Sequence, residues 1–127
     1  MTELPTQFGI FYPTGYIVAA FPKREDAERV RQNLLTGGYD PQDCVLYTGE
    51  EFASIARSHL KDAGWLARLG KSDEMEQAQL EAAKRGSTLL LIYAPSDLDT
   101  ERTMNVIRRV PFELAHHYHR FAIHELK

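Results

Sequence analysis

Ser87-Thr88-Leu89-Leu90-Leu91-Ile92-Tyr93-Ala94 decides the reading of this chain. Successive side chains of a strand point to opposite faces, so the run Leu89 to Ile92 is apolar on both. A sheet with one wet face would alternate instead. This strand therefore lies inside its sheet with both faces covered. Just upstream, Lys84-Arg85-Gly86 is the cation-then-glycine order that ends a helix. Just downstream, Pro95-Ser96-Asp97 opens a helix whose inward face is Met104, Ile107 and Val110, and Pro111 stops it. Phe112 to Leu126 then reads as one long final strand, bent near its start.

The same order stands earlier in the chain. Gly15 to Phe21 is a strand, and Ala27, Val30, Leu34 and Leu35 mark a helical face. Gly37-Gly38 caps that helix, and Cys44-Val45-Leu46-Tyr47 is a second strand. Two βαβ units of similar size predict a ferredoxin-like α+β domain. That arrangement is a four-stranded antiparallel sheet with helices on one face and the first and third strands central. Between the units, Thr48-Gly49-Glu50-Glu51 forms a capping box before Phe52, Ile55, Ala56 and Leu60. The helical insertion covers about residues 50–71, and a further helix opens at Ser72. The second face of the Leu89–Ile92 strand needs a cover. Either the middle helices supply it, with Trp65, Leu66 and Leu69, or a second copy does. Residues 1–14, with two prolines and no period, read as an arm, and 15–127 as one domain.

Composition sets the outer bounds. One cysteine among 127 residues excludes an internal disulfide framework and any Cys-cluster metal site. A net charge of −3 gives no whole-domain attraction for nucleic acid. The charge is uneven, however. Residues 1–101 carry a net −6, and residues 102–127 carry a net +3 together with four of the five histidines. The start shows no basic n-region, and no apolar run is long enough to span a bilayer. The expectation is a soluble cytoplasmic protein without membrane contact, in which Cys44 is a reduced thiol.

The run His116-His117-Tyr118-His119-Arg120, with His124 beyond it, is the densest candidate site. On one continuous strand, His117, His119, Phe121 and Ile123 share a face, and His116, Tyr118, Arg120 and His124 the other. His117 and His119 could ligate a divalent metal if a carboxylate or a second chain completed the shell. Arg120, Tyr118 and His124, beside Tyr16 on the neighbouring strand, could hold a small anionic ligand or a nucleotide. Bulky polar side chains also serve simply to protect an edge strand. Nucleic acid is disfavoured, because the third strand is Leu89-Leu90-Leu91-Ile92 where an RRM-type sheet carries stacking aromatics.

Ile17 to Phe21, then Lys23 to Val30 and Leu34, then Gly38-Tyr39-Asp40-Pro41-Gln42-Asp43, resemble the opening of the bacterial general-stress-protein (heat-induced stress protein) family. Glu81 to Gly86 leading into Leu89–Ala94 is similar to that family's closing unit. The likeness covers roughly residues 15–48 and 73–124, and the family's Gly/Ala-rich middle is replaced here by a shorter, charged, Trp-containing stretch. It implies a small ferredoxin-like accessory protein and transfers no catalytic residue. Three functions follow as expectations. The first is a non-enzymatic, stress-associated accessory or regulatory protein that self-associates as a homo-oligomer and carries no cofactor. The second is a sensor binding a small anion through Tyr16, Tyr118, Arg120 and His124. The third is a metal-binding enzyme using His117 and His119.

Overall fold

A computed structural model describes residues 6–7, 10–11, 13–63 and 72–127. Its elements run β1 (Thr6–Gln7), β2 (Ile10–Phe11), β3 (Tyr16–Phe21), α1 (Arg24–Thr36), a 3-10 turn (Pro41–Asp43) and β4 (Cys44–Tyr47). They continue α2 (Gly49–Ala63), α3 (Ser72–Lys84), β5 (Thr88–Tyr93), α4 (Asp97–Ile107), β6 (Leu114–Tyr118) and β7 (Ile123–Glu125). β1 and β2 pair with each other within the N-terminal arm. The main sheet is antiparallel and five-stranded, in the order β4-β5-β3-β6-β7. No helix among the described residues is long and apolar enough to cross a membrane.

Local chemistry accounts for the boundaries. Gly38 and Gly86 take positive φ, +108° and +93°, a region that glycine enters without steric cost. There Tyr39 N–H reaches back to Leu34 O at 3.0 Å, and Ser87 N–H to Ala82 O at 3.1 Å, each closing a helix end. The capping box forms reciprocally: Thr48 N–H donates to Glu51 Oε1 at 2.9 Å, and Glu51 N–H to Thr48 Oγ1 at 3.1 Å. Ser96 Oγ accepts from Asp99 N–H at 3.0 Å and caps α4.

Two cores flank the sheet. On one face Ile17, Ala19, Phe21, Leu90 and Ile92 meet Ala27, Val30 and Leu34 of α1 with Met104 and Ile107 of α4. On the other, Val18, Ala20, Leu89 and Leu91 meet Phe52, Ala53 and Ala56 of α2 with Leu80, Ala82 and Ala83 of α3. The unbroken apolar run of β5 is thus explained by helices on both sides. This corrects the expected single helical face, and the cover comes from this same chain. Trp65, Leu66 and Leu69 lie outside the described residues. The strand count is also corrected, from four to five. Phe112 to Leu126 is no single strand, because His119 N–H donates to Ala122 O at 2.7 Å and turns the chain back. β7 then pairs with β6, His117 opposite His124.

The two sheet edges differ. At β4, Cys44 O accepts from Arg31 Nε at 2.7 Å, and Cys44 N–H donates to Pro41 O. The Cys44 end of that edge is thus covered by its own neighbours, while Leu46 also faces outward. At β7, the bonds His119 N–H to Ala122 O and Leu126 N–H to Ala115 O (2.8 Å) fix which residues face β6. Antiparallel pairs alternate between bonded and non-bonded, so Ile123 and Glu125 turn their backbone groups outward. Among the described residues, no strand lies beyond β7 in the main sheet.

Candidate functional site: the histidine hairpin

The turn at residues 119–122 rearranges the expected site. Facing parity runs along one strand and is lost where the chain reverses. His124, expected beside Tyr118, instead lies opposite His117 and on its face. The His117 and His119 rings stand 4.4 Å apart between centroids, and the His119 and His124 rings 4.1 Å. Three imidazoles thus form a continuous row, of which sequence spacing joined only the first two.

His117 is the inner end of that row, 5% exposed. Its Nε2 lies 2.8 Å from Ala94 O, just past β5. A carbonyl can only accept, so Nε2 carries the proton and Nδ1 keeps its lone pair. Burial pushes the His117 imidazole below its ordinary value, and the neighbouring His119 and His124 act the same way. The Ala94 hydrogen bond and Asp97 oppose that shift. His119 is also lowered, first by burial and then by His124, with Asp97 opposing. Both rings are therefore held toward the neutral form. Among the described residues, no three His, Cys, Asp or Glu side chains are placed to hold a metal ion. His117 and His119 are brought together, but as packed rings.

The expected anion site is divided. Tyr118 is fully buried, 0% exposed, against the α2–α3 side of the sheet. Tyr16 is half-buried on that same side and packs on Tyr93, ring centroids 5.0 Å apart. Arg120 is exposed in the turn, with its guanidinium 5.3 Å from the Phe121 ring centroid. Phe121 is 87% exposed. Arg120 and His124 remain accessible, whereas Tyr118 is part of the core.

Behind the strand, a buried polar group ties α3 to β6. Gln79 Nε2 donates to His116 Nδ1 at 2.9 Å and to Tyr118 Oη at 3.0 Å. Burial lowers the His116 imidazole, with Glu125 opposing. Sequence reading missed Gln79. Its signal was a pair of polar residues, Glu76 and Gln79, at i,i+3 on the face that Leu80 and Ala83 bury.

Elsewhere, Arg85 Nη2 pairs with Glu113 Oε2 at 2.5 Å while Ser87 Oγ donates to Glu113 Oε1. Together they lower that carboxyl against the opposing effect of burial. Cys44 is fully buried, and its thiol is pushed up to about 12 by burial, against the pull of Arg31. It is a small apolar filler rather than a nucleophile. The folded protein is expected to resist iodoacetamide at about pH 8 and to label once unfolded. Labelling at equal rates in both states would contradict this.

Two clefts open on the surface of the described residues. One of about 520 Å³ lies between α1 and the β4 edge, lined by Arg24, Arg31 and Leu46 among others. One of about 340 Å³ lies beside Tyr39, Asp43, Asp99 and Arg102. No family model, no curated protein and no solved structure matches the chain.

Proposed function

We propose that this chain is a small accessory or regulatory protein, ferredoxin-like in its first four main-sheet strands and stress-associated in role, that acts by self-association. The association surface is the outer edge of β7. One observation carries this reading: at β4 the outward groups of Cys44 are taken by Arg31 and Pro41, which leaves Leu46 alone facing out, whereas at β7 both Ile123 and Glu125 point backbone donors and acceptors away from the sheet. An open strand edge is a template for another strand. The sheet faces are covered by α1, α4, α2 and α3, so the edge takes over the role first expected of the second sheet face or the middle helices. A second copy pairing β7 antiparallel to β7 would extend the sheet across a two-fold axis. The ladder is short, and the exposed Phe121 ring beside it adds apolar area.

Glu125→Pro tests the reading. Proline removes the outward N–H of Glu125 and leaves the bonds to β6 in place. Light scattering from micromolar to millimolar concentration is expected to show the wild type passing from monomer to dimer. Glu125→Pro should stay monomeric with an unchanged far-ultraviolet dichroism spectrum. A wild type that is monomeric throughout, or a variant that dimerises equally, overturns the reading.

A further inference from the structure

We propose that the row His117–His119–His124 is a proton-operated latch, which holds β7 on the sheet while His117 and His119 are neutral and releases the β6–β7 hairpin when they are protonated. The geometry of the row carries this. One end is anchored, because His117 Nε2–H is committed to Ala94 O and its ring is buried. The other end, His124, belongs to β7 and is open to solvent. His119, in the hairpin turn, packs against both. Neutral rings can pack at these distances, His117 and His119 edge to face and His124 tilted against His119. Protonated rings cannot share them without repulsion, since like charges so close disfavour each other strongly.

The charged groups acting on the two inner rings are His124 from β7 and Asp97 from the start of α4. Among the described residues, Asp97 is the carboxylate that acts on both His117 and His119. The opposite face of β6 is a separate system: His116 is bound to Gln79, and Glu125 acts on that ring instead.

The sign follows from burial. An opened hairpin has imidazoles of ordinary affinity, near 6.5, whereas the closed one holds His117 and His119 lower. The open form therefore binds more protons once the pH falls below about 6.5, and the closed form loses stability from there downward. Above that pH the latch is shut. Control of association rests on the proposed β7 edge, but the latch itself does not.

Amide hydrogen exchange read by NMR separates the two. Samples contain a chelator, and protection of the His119, His124 and Leu126 amides is compared at about pH 7.5 and about pH 5.5 after correction for intrinsic rates. The β3–β5 amides serve as the internal reference. Protection is expected to fall about tenfold or more at the hairpin alone. In His119→Gln/His124→Gln, which keeps polar side chains but leaves only His117 of the row, the fall should shrink markedly. A wild type without the fall, or a double variant with the same fall, overturns the latch. Light scattering at the same two pH values then tests the coupling. Hairpin opening without dissociation leaves the latch standing and overturns the edge reading. Dissociation without opening overturns the latch.

Discussion

Gly49→Ala is expected to destabilise the protein by about 3 kcal/mol, at the upper end for an overpacked site. A Cβ at position 49 would overlap Ala83 O and stand 2.8 Å from Ser87 O. Both are backbone atoms and cannot swing aside as a side chain would. The N-terminus of α2 would have to move off the end of α3, carrying Phe52 away from the sheet. Local rules point the other way. A glycine inside a helix costs roughly 0.5–1 kcal/mol relative to alanine, so helix propensity alone makes this substitution stabilising. A urea unfolding midpoint that stays level or rises would show that the close approach of α2 to α3 is absent.

Gln79→Leu is expected to cost about 2–3 kcal/mol. Leucine nearly preserves volume, so little of the loss comes from a cavity. It removes the amide that donates to His116 Nδ1 and Tyr118 Oη, and a buried acceptor stripped of its donor costs roughly 1–3 kcal/mol. Adding His116→Leu should recover part of the loss, because taking out both partners of a buried hydrogen bond is far cheaper than taking out one. A double variant whose cost is the plain sum of the two singles would mean that the pair is not coupled. The same experiment reports on the docking of α3, since Gln79 is a polar link between that helix and β6.

These two expectations show where sequence reading reaches and where it stops. The helix ends were readable because each depends on residues three to five apart. Thr48 with Glu51, Ser96 with Asp99, and Gly38 and Gly86 all act on their own backbone. The two-sided burial of Leu89 to Ile92 was readable for a similar reason, as periodicity reports whether a face is covered. It does not report by what. That the cover is α2 and α3, rather than a second copy, follows from packing between Leu89, Leu91, Phe52 and Leu80, pairs that no local signal connects.

The candidate site divides along the same line. Sequence spacing placed His117 and His119 on one face, and the structure brings them together. It also placed His124 with Tyr118, and there the tertiary structure decides otherwise. A turn at residues 119–122 reverses the chain, sets His124 opposite His117 and leaves Tyr118 in the core. Alternation along a strand is a property of consecutive residues, so a sequence determines it. The meeting of two strands depends on where the chain folds back and on what packs behind it, and only the assembled sheet determines that.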